Sequence, residues 1–539
     1  MRFFLIFLIF TTLLFSSIKD DVIKYKLDKS YTEAFSRLNV QSGDGRMKPL
    51  DTLNMDVLNK LTRKKELFGL NHNQVVLGMT FAPEFWKKVP MLEYNSKVQS
   101  FNDFYKDGNY TLMLEVAQVN KKEASGRTAY EKELLKLDEK LKVAEFVYSQ
   151  GYLKVFPLAG DEAKSWLSPK TYEEKFTGSQ KFDVKKILVL NKKALISGDV
   201  DLAKDMVKKI AEFQKLHGSN VLLTKEKVDA ELFYNKILIF ERVYPFYIIV
   251  GLLLLVLSFI KVLREKNYML IEKSADFLLY GLFALYSFNL GLRWYISTHA
   301  PWTNSYESMV LIAWAILLVG LIFNKKSTFA LGVTTFMAGV MLFAAHLSWI
   351  DPRITTVTSS FQSIWLVIHV AIISASYAFL TLSFLLGFIT LVLFKFSKNN
   401  LHVVKKIKES YKTNEASMIF GLSLLAIGTL LGSVWANELW GRVWAWDPKE
   451  AWSLISVLVY MLILHFRSVV KESVVYMFSV MSVLGFFTIL MTYFGVNYFF
   501  DAIHVFASDS GSSVPWYAYV GALSVLILIV VSYKDRKNV

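Results

Sequence analysis

Nine apolar runs follow one another after residue 243, most near the ~20 residues that a ~30 Å hydrocarbon core requires and the fifth overlong, as a helix that extends beyond the bilayer, tilts or kinks would be. They cover roughly 244–262, 275–292, 307–323, 329–348, 364–395, 416–434, 452–467, 474–494 and 515–533. Within a bilayer, backbone N–H and C=O groups find no water, so runs of this kind must fold as helices. The fold class that follows is an all-α polytopic membrane protein with about nine transmembrane helices. Basic residues cluster after the first, third, fifth, seventh and ninth runs, at Lys261/Arg264/Lys266, Lys325/Lys326, Lys405/Lys406/Lys408, Arg467/Lys471 and Lys534/Arg536/Lys537. By the positive-inside rule those loops face the cytoplasm, which turns the alternate loops outward. The net charge of +15 belongs to these loops and to scattered lysines. It is the footprint of membrane orientation, and no nucleic-acid partner is expected.

Ahead of the runs, Met1-Arg2 leads into an apolar stretch from Phe3 to Phe15 that ends at Ser16-Ser17. Residues 1–17 therefore read as a signal peptide or an N-terminal anchor; no Ala-x-Ala cleavage pattern decides between them. Residues 18–243 read as an exported, mostly helical soluble domain on the periplasmic side. Within it, Glu131 to Phe146 places apolar residues at helical spacing between charges. Gln41 to Asp51 is turn-rich and feeds a second helical pattern. His72 reads more readily as a surface residue than as a ligand. Residues 244–273 form the first membrane helix and its cytoplasmic loop, and 274–539 the remaining transmembrane module. The chain contains no Cys, so any thiol chemistry must come from a partner.

Between the sixth and seventh runs lies Trp435-Ala-Asn-Glu-Leu-Trp440-Gly-Arg-Val-Trp444-Ala-Trp446-Asp447-Pro-Lys-Glu450-Ala-Trp452, which holds five of the chain's 13 Trp. Such a loop offers a stacking surface to a flat apolar ring system, although Trp is also enriched at membrane interfaces for its own sake. Asp447-Pro448-Lys449-Glu450 additionally fits an N-cap, a first-turn proline and a capping-box Glu. The topology sorts the histidines by depth. His299, His346, His369 and His504 lie at or near the outer face, and His465 near the cytoplasmic end of its span. At ~1.5 Å per residue, His369 is ~8 Å and His465 ~20 Å below the outer start of its helix, so regular helices cannot bring both to one metal. Intramembrane imidazoles are costly to bury and are candidate functional groups.

Several motifs, in order, carry a family resemblance. The run Leu439-Trp-Gly-Arg-Val-Trp-Ala-Trp-Asp-Pro-Lys-Glu-Ala-Trp-Ser453 resembles the tryptophan-rich WWD signature of haem-handling membrane proteins on the CcsA (ResC) side of the system II cytochrome c synthase. Arg293 with Pro301 to Ser308 is similar to that family's early external motif. Gln362 to Val370 resembles the segment of its first external His, Val496 to His504 that of its second, and Leu464 to Arg467 its intramembrane His. Asp44 to Asp51 is similar to the periplasmic segment of fused CcsB–CcsA proteins. The resemblance implies a cytochrome c haem lyase or synthase subunit of the bacterial inner membrane. Haem b would be its substrate, and residues 435–452 the WWD loop. His369 and His504 would be axial ligands to the haem iron, His465 would belong to a second, intramembrane haem site, and Trp440, Trp444, Trp446 and Asp447 would form the platform. Implied partners are apocytochrome c, thiol-reductant proteins and a separate CcsB (ResB)-like membrane subunit that supplies the intramembrane His for which this chain shows no counterpart. Two other classes stand beside it: a non-catalytic haem exporter or chaperone, and a proton- or ion-translocating subunit. The second would call for acidic groups within the spans, where Asp276 lies at a boundary and almost no others occur.

Overall fold

The computed structural model describes residues 19–123, 126–158, 165–218, 221–266, 268–347, 352–356, 362–469, 473–500, 514 and 516–539. The leader at 1–17 and the His504 segment lie outside the described residues. The chain divides into two compact units at Lys236/Ile237.

The N-terminal unit is built mainly from helices, with five two-stranded antiparallel sheets among its described residues. The turn-rich segment forms one hairpin, β1 (Asn39–Gln41) with β2 (Met47–Pro49), in the register Asn39↔Pro49 and Gln41↔Met47. Gly45, at φ 83°, turns the chain between them in a conformation that a side chain would disfavour. The helices used below are α1 (Leu50–Thr62), α2 (His72–Phe81), α3 (Ala129–Tyr148), α4 (Gly178–Ser197), α5 (Val200–His217) and α6 (Lys225–Ile237). The helical spacing seen at Glu131 to Phe146 falls within α3, where Thr128 and Glu131 close a capping box. Tyr31, Phe35, Leu58, Val75, Trp86, Leu134, Val147, Phe156 and Phe213 pack in one core.

His72 is not a simple surface residue. Its Nε2 bonds Asp51 Oδ1 at 2.8 Å, while Asn73 and Asn235 donate to the same carboxylate at 2.8 and 3.0 Å. Thr52 and Arg46 donate in turn to Glu231 at 2.8 and 2.7 Å. Arg46, Asp51 and Thr52 thereby hold Glu231 and Asn235 of α6, so the turn-rich motif grips the helix that leads out of this unit. Burying these groups is tolerable because each has a partner of opposite charge or hydrogen-bonding sense.

In the second unit the helices are α7 (Ile239–Arg264), α8 (Met269–Ser297), α9 (Ser305–Phe323), α10 (Ala330–Ala345), α11 (Ile364–Phe394), α12 (Leu401–Trp440), α13 (Pro448–Val469), α14 (Val474–Leu490) and α15 (Trp516–Tyr533). Among the described residues eight helices are long and apolar enough to cross a membrane. The fourth anticipated run folds instead as the shorter α10, of 16 residues. The chain is thus an all-α, multi-pass membrane protein. Asn304, Ser363 and Asn400 cap α9, α11 and α12 through their side chains. The interior is fastened by small polar groups, the usual glue between membrane helices. Ser383 donates to Asn414 Oδ1 at 2.6 Å and Asn414 to Ser482 at 3.1 Å, joining α11, α12 and α14. Ser376 and Ser417 bond carbonyls across the α11–α12 seam at 2.8 and 2.7 Å.

Candidate haem-binding loop and histidines

The helix α12 stops at Trp440 because Gly441 takes a left-handed conformation (φ 67°), its N–H bonding Asn437 O at 2.9 Å. Seven residues later α13 begins at Pro448, whose missing N–H costs nothing at a first helical position. Asp447 is buried and its carboxylate accepts from Lys449 N at 3.2 Å, as an N-cap does. Glu450 reaches back to accept from Ala445 N at 2.8 Å, two residues short of the amide a simple capping box would use. Both carboxylates therefore shape the loop.

That loop holds its indoles in two pairs. Trp435 and Trp440 meet at 5.1 Å and 66°, Trp444 and Trp446 at 5.8 Å and 85°. Trp435 is buried, Trp440 is open, and Trp446 is 72% exposed. Trp446 also has φ 57°, a conformation rarely adopted by a bulky residue. The Arg442 guanidinium lies 5.8 Å from the Trp440 ring. One aromatic ring is thus held outward at some conformational cost, with a second ring behind it.

His369, sixth in α11, directs Nδ1 at Gly428 O of α12, 2.7 Å away. A carbonyl can only accept, so Nδ1 carries the proton and Nε2 the lone pair, the tautomer that metal-ligating histidines use. Gly432 makes room for the ring, because a Cβ there would lie 2.7 Å from His369 Cε1 and 3.0 Å from Nδ1. Neither glycine entered the sequence reading; their four-residue spacing, the small-xxx-small pattern of close helix pairs, is the signal that could have found them. Ser363, at the head of α11, donates to Glu438 near the end of α12 and ties the same ends together.

His465 directs Nδ1 at Met461 O of its own helix, 2.8 Å away, which leaves Nε2 as the acceptor nitrogen. It is exposed, in line with the exposed Ile455, Leu458, Met461 and Leu462. Gly432, against which His369 packs, is ~12 Å below the Trp440 end of α12, and His465 ~26 Å below the start of α13. Those depths keep the two imidazoles apart, as the spacing requires. His504 lies outside the described residues. The segment leading to it begins with a π-helical turn, Met491–Gly495. From that turn Tyr493 bonds Ser308 of α9 at 2.6 Å, while Asn497 accepts from Lys449 Nζ at 3.4 Å, joining the Trp loop to the approach to His504.

The competing histidines are engaged otherwise. His299 turns Nδ1 to Ala300 O at 3.0 Å and Nε2 to Thr355 O at 3.1 Å, so neither nitrogen points a lone pair at a metal. His346 turns Nδ1 to Leu342 O at 2.6 Å and Nε2 to the Tyr306 hydroxyl at 3.4 Å. Arg293, 1% exposed, binds Glu307 Oε1 through Nε and Nη2 at 2.9 and 2.8 Å and the Pro352 carbonyl through Nη1 at 3.1 Å. The early external motif is therefore an internal brace. Among the described residues no group of three or more His, Asp or Glu could hold a bare metal ion. A porphyrin-held iron asks for axial imidazoles only.

Residues 302–504, which include the Trp loop and His369, His465 and His504, match the family model of the cytochrome C assembly protein. Protein NrfI of Wolinella succinogenes is 38% identical over 501 residues, 89% of this chain and 55% of that protein. The CcsA cytochrome c biogenesis protein of Prochlorococcus marinus is 32% identical over 256 residues, 41% of this chain and 79% of that protein. The chain belongs to the CcsA family of cytochrome c biogenesis proteins. The CcsA of Guillardia theta is also similar, 30% identical over 241 residues covering 79% of its length. This family member spans little more than half of NrfI, and its CcsA-like part is preceded by the N-terminal unit.

Proposed function

We propose that this CcsA-family protein binds haem b at the Trp-loop end of the bundle and holds it while apocytochrome c receives it. His369 and His504 are the axial ligands, Trp440, Trp444 and Trp446 the platform, and Asp447 its cap. The observation that carries this reading is the His369–Gly428 hydrogen bond, which sets the ligating tautomer in the helix pair that ends in the Trp loop. Each thiol of a Cys-x-x-Cys-His segment adds across one vinyl group: a C–S bond forms at one vinyl carbon, the thiol proton goes to the other, and no electron leaves the pair of reactants. The protein's share is to exclude water with indole faces and to align the reactants, which removes the entropy of their encounter. Thiol-reductant proteins keep the substrate cysteines reduced. The Trp loop and the N-terminal unit lie on the periplasmic side of the bacterial inner membrane, as the distribution of basic loops supports.

His465 belongs to a second, intramembrane haem site through which haem crosses. An exposed imidazole on an apolar helix face is costly against lipid. The Ile455–Leu458–Leu462–His465 line is therefore covered by a CcsB-like subunit bearing the second imidazole. Absorption spectra of the purified protein, oxidised and then reduced, test the reading. Wild type shows bis-imidazole haem, His369→Ala and His504→Ala lose it, and His346→Ala keeps it; unchanged spectra in all variants would overturn the assignment. Reconstitution with an apocytochrome separates the roles, since covalent haem on the cytochrome marks synthase activity and delivery without attachment marks a chaperone.

A further inference from the structure

The N-terminal unit carries a surface that the haem chemistry leaves unused. On α4, Phe182, Val189 and Ile196 are 68%, 57% and 77% exposed although each is large and apolar. They recur every seven residues, ~10 Å apart along the helix. Between them, also exposed, lie Lys185 and Lys186, then Lys192 and Lys193. At about 100° per residue all seven side chains fall within an arc of about 120°. This is not a core face turned outward by a slip in register. Val184, Ile187, Asn191 and Ala194 of the same helix are buried on the other side, and Asn191 accepts from the Tyr31 hydroxyl at 3.2 Å within the core.

We infer that this face of α4 rests on the anionic lipid surface of the membrane that the chain itself enters. Three features favour lipid over a protein partner. The apolar groups stand singly between lysine pairs, so they form no contiguous patch of the kind a protein interface buries at its centre. Lysine is depleted from such centres but is at home at a headgroup layer, where its stem lies along apolar surface and its ammonium meets phosphate. The unit is also joined to the membrane-spanning unit by continuous chain, and a tether holds a weak surface at high effective concentration. A second copy of α4 would bring lysine against lysine.

The chain has no cysteine, which makes a single reporter clean. Full-length V189C carries a polarity-sensitive thiol dye in nanodiscs of phosphatidylcholine alone or with phosphatidylglycerol, and K121C serves as the reference on the same unit. The expected result is a blue shift at position 189 in the anionic discs only, with quenching by acyl-chain bromolipid and no change at 121. The shift disappears at ~1 M salt, where the screening length falls to ~3 Å, and in the K185Q/K186Q/K192Q/K193Q background, whose fold is checked by an unchanged hydrogen-exchange pattern. Equal emission in both discs, absence of bromolipid quenching, or a shift that tracks protein concentration in lipid-free detergent would each overturn the inference, the last by indicating self-association.

Discussion

Asp447 illustrates how one side chain can shape a loop through its backbone. Its carboxylate accepts from Lys449 N, and an asparagine oxygen could accept the same bond. Asp447→Asn is expected to keep the reduced haem spectrum, whereas Asp447→Ala loses a cap worth ~1 kcal/mol and with it haem retention; spectra of the two side by side decide. Asp51 makes a different use of a buried carboxylate. Burial pushes its pKa up, but the hydrogen bond and charge of His72, with the amides of Asn235 and Asn73, outweigh that and hold it below the ordinary carboxylate value. A depressed folded-state pKa contributes stability that is present above the unfolded value, ~4, and is lost as pH falls through the folded one. Hydrogen exchange in α1 and α6 should therefore accelerate on acidification below ~pH 4, and Asp51→Asn should flatten that acid limb.

At the scale of elements, the seam between α11 and α12 decides the geometry of His369. A Cβ on Gly432 would press on the imidazole itself, whereas one on Gly428 meets the flexible end of Ile373, with Cδ1 at 2.6 Å. Gly432→Ala should therefore displace the ring and diminish the bis-imidazole spectrum more than Gly428→Ala, as titration of each variant with haem would report. The Arg293–Glu307 brace joins α8 to α9 and to the chain at Pro352. Arg293→Ala leaves a buried carboxylate unpaired, at a cost of about 3–5 kcal/mol, and lowers the thermal midpoint of the solubilised protein. Arg293→Lys restores the charge but not the two-nitrogen grip and should recover only part of it. The long apolar helices, α3 and the first turn of α13 were legible in the sequence because each depends on local periodicity or on residues within one turn. The His72–Asp51 bond was not, since it joins residues 21 apart in the chain, and the three-residue strands β1 and β2 are too short to show a periodicity of their own.

For the molecule as a whole, the exposed line bearing His465 is the surface that the proposed partner subunit would cover. Purified alone, the chain is expected to show the haem signal of the Trp-loop site and a deficient intramembrane site; adding a CcsB-like subunit should raise bound haem and quench exchange along α13. Equal occupancy of both sites without it would contradict the partner proposal. The sequence alone determined that the chain crosses a membrane repeatedly, that a tryptophan loop joins two spans, and that His369 and His465 stand at different depths, and it set the expectation of which loops share a side. All of these follow from hydropathy, charge and helical rise, quantities summed along the chain. Only the tertiary structure decided which histidines are already engaged, as His299 and His346 are, and that Gly428 and Gly432 fix the tautomer and seat of His369. Those outcomes depend on which backbone carbonyl lies within ~3 Å of a ring nitrogen, a matter of helix-to-helix packing that no single stretch of sequence encodes.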